Sequence, residues 1–445
     1  MNVNGKAIEV LRKYSLCDHC LGRQFGLLGK NLTNEERGFS LKTSILLNEF
    51  ENYQVIKSDE ALDVLKILAE KGMFKPAIEV LKSLGLRNLK ISETCFLCDN
   101  IFTKLHLLAD LAIGKLQKIE FESFLVGSLI PNWMIEREDS FRSQCSIVHG
   151  EALRAELNRE IGKLIFSGLN DKEVIFDHPN ILILIDPLKE FIEININAIF
   201  IRGLYKKLVR GIPQTKWTCN KCYGKGCEEC NFQGKRYETS VSELISHEIL
   251  KISEGTDFKF HGSGREDIDA LMLGNGRDFI LEIKKPMKRF FNLNDLEKKI
   301  NEFGKDLIEV SNLRFSNKDE VRKIKAVAPF TLKTYKALVE TEKNLDLIYL
   351  KDLESTLKDC TIKQQTPQRV LHRRADKIRI KRVIEVKIRK IKENQFEFIV
   401  TADGGTYIKE LISGDDGRTT PSVSSILNNK ATCIELDVIN ILKEI

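Results

Sequence analysis

A short segment bounded by glycine turns holds the residues of this chain that are best suited to chemistry. Residues 261–281 read HGSGREDIDALMLGNGRDFIL, and the charged side chains between the turns are Arg265, Glu266, Asp267 and Asp269. Glycine allows tight turns and lets a ligand approach the backbone closely. A carboxylate that is held in such a turn has a fixed position and can serve as a nucleophile. A polar surface turn with an ion pair is the alternative interpretation.

The cysteines form a second group with recognisable chemistry. Eight of the eleven fall into four CxxC pairs, Cys17 with Cys20, Cys95 with Cys98, Cys219 with Cys222, and Cys227 with Cys230. Two thiolates at this spacing can occupy adjacent corners of a tetrahedron, so two pairs complete a zinc site. The simplest of the three pairings that the sequence allows joins the first pair to the second and the third to the fourth. We therefore expect two structural zinc ions, with free thiols or redox dithiols as alternatives.

Length and composition indicate a globular protein of two or three domains, at roughly 150 residues per domain. Apolar residues make up 42% of the 445 positions and charged residues 30%. No apolar run reaches the roughly 18 residues that span a bilayer. The first residues lack an apolar signal core, and paired cysteines are typical of metal sites in a reducing compartment. We expect a cytoplasmic protein with no membrane partner.

Positive charge is concentrated in residues 365–394, which carry eleven Lys or Arg and three Asp or Glu, while the whole chain has a net charge of +6. Ile378, Ile380, Val386 and Ile388 nearly alternate with cations there, which predicts a strand with one packed face and one basic face. A basic stripe of this kind is typical of nucleic-acid binding. A solvated surface strand is the alternative.

The remaining pattern predicts an α+β protein. Residues 1–100 read mostly as helices, and residues 100–210 alternate between helix and strand. Residues 206–235 form a basic, cysteine-rich connector, and the rest of the chain again alternates between the two, with residues 321–328 predicted as a strand. A mixed sheet with helices packed on it is the architecture that this order favours.

Several blocks, taken in order, match the motifs of one family. They are CDHCLGR at 17–23, GREDID at 264–269, LGNGR at 273–277, KTYKA at 333–337, TPQRVLHRRAD at 366–376, GTYIKELISGD at 405–415, GRT at 417–419 and IELDV at 434–438. Together they resemble the archaeal and eukaryotic tRNA pseudouridine synthases that carry a THUMP-containing domain, the tenth pseudouridine synthase family. The resemblance spans nearly the whole chain. One departure is Asp278, where the family pattern has proline.

The resemblance implies that uridine is isomerised to pseudouridine in the TΨC arm of tRNA, at position 55, and it leaves open whether position 54 is modified as well. By its place in the motif, Asp267 would be the catalytic aspartate, and Lys409 would pair with it and orient it. Tyr335 would stack on the target base, and Leu436 would form an apolar wall of the pocket. Arg265 would contact the phosphate backbone or help to displace the base. No organic cofactor is implied.

The resemblance also implies a division of the chain into three parts. These are a zinc-binding helical segment (1–100), a THUMP-like RNA-binding domain with the cysteine-rich connector (101–235), and the pseudouridine synthase catalytic domain (236–445). The THUMP core is expected at residues 172–202. The catalytic domain would be a mixed sheet with flanking helices.

Two sets of basic residues are expected to bind the RNA backbone. Near the catalytic cleft the expected phosphate ligands are Arg369, Arg373 and Arg374. From the last residue of the expected THUMP core onward they are Arg202, Tyr205, Lys206, Lys207 and Arg210. The expected partner is tRNA, the expected state is a monomer, and no obligatory protein partner is indicated.

Two other functions fit part of the sequence. A non-catalytic, zinc-stabilised tRNA-binding protein or RNA chaperone would share the zinc sites and the basic surface, but it would not depend on Asp267. A different THUMP-containing enzyme, such as a thiolase or methyltransferase, would need an ATP loop or a methyl-donor site. The sequence has no GxxxxGK[ST] loop and no convincing dinucleotide-type turn, which disfavours this second alternative.

Overall fold

The computed structural model describes residues 2–442, and its backbone forms two compact units, Met1–Asn197 and Ala198–Ile445. Both units combine helices with sheets, which confirms the predicted α+β class. The boundaries predicted near residues 100 and 235 fall inside these units and stay predictions. Among residues 2–442, no helix combines the length and apolar character that crossing a bilayer requires.

The first unit consists of a helical part and a small sheet. Its helices are α1 (Val3–Lys13), α2 (Asp18–Gly22), α3 (Asn34–Ile56), α4 (Asp59–Glu70), α5 (Lys75–Ser83), α6 (Leu105–Leu116), α7 (Asn132–Gln144) and α8 (Leu153–Gly168). Its strands are β1 (Ser123–Ser128), β2 (Glu173–Val174), β3 (Ile181–Asp186) and β4 (Phe191–Ile196). They lie in the order β2-β1-β3-β4, and β1 runs parallel to both of its neighbours. Alternating isoleucines of β3 are fully buried against the helices.

The second unit is built on one large mixed sheet. Its strands are β5 (Ile199–Lys207), β6 (Asp257–Gly262), β7 (Leu271–Lys284), β8 (Ile308–Ser316), β9 (Leu332–Thr341), β10 (Cys360–Gln365), β11 (Ile378–Lys390), β12 (Gln395–Asp403), β13 (Thr419–Thr420) and β14 (Ala431–Leu442). Its helices are α9 (Val241–Ser253), α10 (Leu293–Phe303), α11 (Lys318–Val327), α12 (Leu347–Leu357), α13 (Ile408–Ser413) and α14 (Val423–Leu427). The strand order is β13-β10-β11-β12-β9-β14-β7-β5-β8, with β6 paired to β7.

The last strand, β14, joins the two halves of this sheet. It runs antiparallel to β9 and parallel to β7, so that Val438 pairs with Tyr335 and Asp437 pairs with Leu271. The sheet thus brings the strand of Tyr335, the strand of Leu436 and the loop before β7 to one place. Three sequence motifs that are separated by as much as 170 residues become neighbours through this pairing.

Residues 321–328 were predicted as a strand, and this was wrong, because they lie mostly in helix α11. The Asn317 side chain caps that helix by accepting hydrogen bonds from the backbone N–H groups of Asp319 and Glu320. Val321 and Ile324, three residues apart, are the buried positions. The cap and the three-residue spacing favour a helix, although valine and isoleucine themselves have a high propensity for strands.

The basic segment does contain a strand, β11, but its faces differ from the prediction. A bulge between Val383 and Glu385 inserts one unpaired residue against β12. Such an insertion exchanges the two faces of a strand. Val383 and Val386 are therefore buried on the same side, whereas Ile378 and Ile380 are about two thirds exposed.

Close contact between α2 and α3 depends on two glycines. A Cβ atom at Gly38 would lie 2.0 Å from the carbonyl oxygen of Asp18, and one at Gly22 would lie 1.7 Å from that of Asn34. We expect Gly38→Ala to lower the free energy of unfolding of the first unit by about 1–3 kcal/mol or more, because the helices must separate. Chemical denaturation of the purified variants measures this.

Gly114→Ala in α6 is the matched control, because a Cβ there meets no atom within 4 Å. It should leave stability unchanged or raise it by up to about 1 kcal/mol through better helix propensity. Equal stability of the two variants would show that the contact between α2 and α3 is not as tight as described.

Candidate active site

Asp267 lies in the loop between β6 and β7, where cations from two other segments reach its carboxylate. The Arg369 guanidinium, from the turn after β10, is 3.2 Å from Oδ2, and the Lys409 ammonium, on α13, is 3.8 Å from the same oxygen. The Asp267 side chain is 35% exposed, so the carboxylate remains accessible. The structure thus brings together Asp267 and Lys409, which lie more than a hundred residues apart in the chain.

A cavity of about 390 Å³ opens beside this carboxylate. Its lining includes every residue predicted for the catalytic cleft whose side chain is described, namely Arg265, Asp267, Tyr335, Arg369, Arg374, Lys409 and Leu436. The side chain of Arg373 lies outside the described residues. Tyr335 and Leu436, on the neighbouring strands β9 and β14, form an apolar wall of the cavity. The arginines and Lys409 are among its charged lining residues. A planar, polar ring such as a base fits a cavity with these walls.

A buried ion pair lies directly below the loop. Glu266 and Arg277 are almost fully buried, with 2.8 Å between Oε2 and Nε. The Tyr205 hydroxyl donates to Glu266 at 2.9 Å, and the Gln214 amide donates to the Tyr205 oxygen at 2.7 Å. Burial alone would lower the pKa of Arg277, but the Glu266 carboxylate raises it above its ordinary value. The residue next to Asp267 is therefore anchored in the core by charge and hydrogen bonds.

The backbone of the loop is held from beneath by Lys207. Its ammonium, which is fully buried, donates to the carbonyl oxygens of Asp267 at 3.1 Å, Ile268 at 3.0 Å and Ile212 at 3.1 Å. Arg210 donates to the carbonyl of Asp269 at 2.8 Å. These bonds fix the path of the chain through the residue that carries the carboxylate.

The prediction that Tyr205 and Lys207 contact the RNA backbone was wrong, because both side chains are 0% exposed. Alternation along β5 places them on its inner face. Lys206 and Arg202 lie on the other face, where they pair with Glu309 at 3.0 Å and Asp278 at 2.5 Å. The period of two along β5 was the signal that could have separated these residues.

The Lys409 ammonium is closer to Asp269 than to Asp267, the residue that it was expected to orient. Its ammonium donates to Asp269 Oδ2 at 2.5 Å, against 3.8 Å to Asp267. Partial burial raises the pKa of Asp269, but the hydrogen bond and charge of Lys409 outweigh this and lower it. Arg369 is the nearer cation to Asp267, and its Nε also lies 2.6 Å from buried Glu410.

Lys333 is a site residue that the sequence did not single out. It lies two positions before Tyr335 on β9, so both side chains point to the same face, and both line the cavity. Burial, with a smaller effect from Arg277, lowers the pKa of Lys333 to about 7. Burial likewise raises the pKa of Tyr335 to about 12, so the tyrosine is neutral at physiological pH.

The basic segment borders the same cavity. The Lys381 ammonium donates to the carbonyl of Gly404 at 2.6 Å, and the Arg374 guanidinium donates to the Tyr407 hydroxyl at 2.8 Å. Arg379 lies over the Tyr407 ring, 5.8 Å from its centroid. Four cations of this segment, Arg369, Arg374, Arg379 and Lys381, thus line the cavity, which agrees with the expected attraction for a polyanion.

The eight paired cysteines form two clusters in the pairing that was predicted. Within each cluster the sulfur atoms all lie within 4.8 Å of one another. Individual separations are 3.7 Å for Cys17–Cys98, 3.8 Å for Cys219–Cys227 and 3.7 Å for Cys222–Cys230. A tetrahedral ion with metal–sulfur bonds of about 2.3 Å has sulfur–sulfur edges of roughly 3.8 Å, so both clusters could hold zinc.

Groups around the clusters favour thiolates. In the first cluster, the buried Arg23 guanidinium donates to Cys20 Sγ at 3.6 Å. In the second, backbone N–H groups of Gly226 and Gly234 donate to Cys222 and Cys230, each at 3.2 Å. Donors of this kind stabilise the negative charge of four bound sulfurs.

Comparison with known proteins identifies the family. Residues 200–442 match the family model described as Pus10, C-terminal, and residues 108–186 match that of the Pus10 THUMP domain, archaeal. A tRNA pseudouridine synthase Pus10 of Methanocaldococcus jannaschii is 45% identical over 443 residues, which cover 97% of this chain and 93% of that protein. The chain belongs to the Pus10 family. The relative of the same name from Thermofilum pendens is 39% identical over 432 residues, with 97% and 94% of the two chains covered.

A solved structure, that of a Cbf5-Nop10-Gar1 complex, shares 18% identity with the chain at a TM-score of 0.28 and covers 46% of each chain. This likeness is too weak to carry an argument. The Pus10 C-terminal match is more informative, since it runs from the second residue of β5 to the end of β14 and contains the whole cavity.

The Pus10 THUMP match lies in the first unit and extends from α6 through β3. It therefore begins well before the core expected at residues 172–202. The end of that expected core falls in β5, which belongs to the sheet of the second unit.

Loss of the buried ion pair should destabilise the second unit. We expect Glu266→Gln to lower its free energy of unfolding by about 3–5 kcal/mol, because Arg277 would be left buried without an opposite charge. Glu79→Gln is the control, since Glu79 pairs with Lys82 on an exposed helix surface and its loss should have no measurable effect. Denaturant titration of both variants measures the difference, and equal stability would contradict the role given to this pair.

Proposed function

We propose that this Pus10 family member isomerises uridine to pseudouridine in the TΨC arm of tRNA, at position 55, with position 54 as a second candidate. Membership of a family whose members are named tRNA pseudouridine synthases supports the reaction. The observation that carries the proposal is the Asp267 carboxylate, accessible in the cavity and held by Arg369 and Lys409.

The proposed reaction needs no redox step and no second substrate. The bond between N1 of uracil and C1′ of ribose breaks, the base rotates, and a bond forms from C5 to C1′. The hydrogen lost from C5 is balanced by the one gained at N1. A base held outside its stack in a cavity shielded from water meets these requirements. Attack of Asp267 on the sugar, attack on the base and removal of a proton each need its carboxylate within reach of the target nucleoside.

The other residues of the cavity have proposed roles that follow from their positions. Tyr335 would stack on the target base, an interaction worth roughly 1–3 kcal/mol. Leu436 would close the apolar wall beside it. Arg265 and Arg374, at the rim, would bind phosphates, and Arg369 would mainly orient Asp267, since it already contacts Asp267 and Glu410.

The N-terminal half would contribute to binding of the tRNA. The match of residues 108–186 to the archaeal Pus10 THUMP domain supports an RNA-binding role for this part. We propose the same three parts as before, with residues 1–100 as the zinc-binding segment and residues 236–445 as the catalytic domain. Paired thiolates fit a reducing compartment, which supports a cytoplasmic location.

The alternative function is tRNA binding without catalysis. The two functions differ in the effect that they predict for a substitution of Asp267. We expect Asp267→Asn to lower the rate of pseudouridine formation by more than about a thousandfold while tRNA binding is retained, because only the carboxylate charge is removed. Single-turnover assays on unmodified tRNA, with filter binding in parallel, measure both.

Asp269→Asn is the matched control, with the same chemical change two residues away. It should keep most of the rate, because Asp269 contacts Lys409 but does not line the cavity proposed for the target uridine. Unchanged product formation by the Asp267→Asn protein would remove this residue from the mechanism and favour a different catalytic group.

We also propose that both cysteine clusters bind structural zinc, since four thiolates leave no coordination position for a substrate. Elemental analysis should find close to two zinc ions per chain. Cys227→Ser should remove about one of them, whereas Cys145→Ser, at a buried cysteine outside both clusters, should remove none. A metal content that Cys227→Ser leaves unchanged would exclude the second site.

A further inference from the structure

A second cavity, of about 200 Å³, adjoins the first on the other side of Asp267. The two share several lining residues, including Arg265, Asp267, Arg369 and Lys409. The residues that line only the second cavity are Pro213, Gln214, Trp217, Ile268 and Asp269. One aromatic residue, three cations and the carboxylates of Glu266, Asp267 and Asp269 therefore line a space next to the place proposed for the target uridine.

Trp217 is held in this position by the second cysteine cluster. It lies two residues before Cys219, and its carbonyl oxygen accepts a hydrogen bond from the backbone N–H of Arg236 at 2.9 Å. Thr218 and Lys235 form the next β-bridge, and the Cys219 N–H donates to Gly234. The indole position is thus set by the two chain segments that carry the cluster.

The surroundings of the ring suit a nucleotide. Tyr237 packs against Trp217 edge to face, with 5.8 Å between ring centroids. The Arg265 guanidinium lies 5.9 Å from the centroid of the indole. Base stacking on an aromatic ring needs a flat apolar surface, and the phosphate of the same nucleotide needs a cation at its edge. Trp217 and Arg265 provide this pair of groups within one cavity.

We propose that this second cavity binds a nucleotide adjacent to the target uridine, with its base stacked on Trp217 and its phosphate held by Arg265. The proposal rests on the proposed function, because it takes the first cavity as the site of the uridine. It gives the enzyme a subsite that recognises the strand next to the target, and it gives the segments that carry the second cysteine cluster a role in positioning Trp217.

The test uses the fluorescence of Trp217 in the full chain. The sequence contains two tryptophans, so Trp133→Phe leaves Trp217 as the sole reporter. Asp267→Asn is added to prevent turnover. The probes are an unmodified T-arm RNA hairpin and two hairpins that carry an abasic nucleotide immediately 5′ or immediately 3′ of the target uridine. For each probe, Kd is measured by filter binding, which does not depend on Trp217, and quenching is measured by fluorescence.

The intact hairpin should quench Trp217, and one of the two abasic hairpins should quench it much less. Trp217→Ala should weaken binding of the intact hairpin by roughly 5- to 100-fold, with partial rescue by Trp217→Phe. On the abasic hairpin that lacks the stacked base, the same Trp217→Ala change should have little further effect.

If Trp217→Ala lowered the affinity for all three hairpins by the same factor, Trp217 would only support the loop. This result would overturn the proposal. So would the absence of quenching, or of hairpin binding. These measurements involve no turnover, so they are independent of whether the wild-type chain forms pseudouridine. Product formation by the wild type without any stacking signal would leave the proposed function standing and remove the subsite.

Discussion

The geometry of the candidate active site depends on the buried contact between Glu266 and Arg277. A charged pair in the core is costly unless each partner is satisfied, and here Tyr205 and the carbonyl of Ser263 supply further hydrogen bonds. Because Glu266 is fixed in the core, the next residue must project outward into the cavity. Lys207 then holds the carbonyls of the loop from below. The position of Asp267 is therefore set by interactions of its neighbours.

The large sheet of the second unit brings further side chains to this loop. Insertion of β14 between β9 and β7 places Leu436 and Tyr335 beside the loop, although they come from distant parts of the chain. The helix and turn that carry Lys409 and Arg369 supply cations from the opposite side. An acid, an aromatic ring and several cations then surround one cavity, which suits a uridine within a polyanionic strand.

Much of this could be predicted from the sequence, for identifiable reasons. The CxxC spacing is a local constraint, and it predicted two clusters of four cysteines. Their pairing in the structure is the simplest of the three that the spacing allows. Ordered motifs predicted which residues meet in the cavity. Two features were not predicted from the sequence. The bulge in β11 exchanges the faces of that strand, and the Asn317 side chain caps a helix where a strand was expected. Burial of Tyr205 and Lys207 followed from the pairing of β5, which composition alone does not reveal.

The measurement that tests the central claim most directly is incubation of an unmodified tRNA transcript with the purified chain and no added small molecule, followed by mapping of pseudouridine. Because the cavity contains its own carboxylate and cations, the purified chain alone should form pseudouridine in the TΨC arm under these conditions. Absence of the product, or a requirement for an added cofactor, would contradict the account.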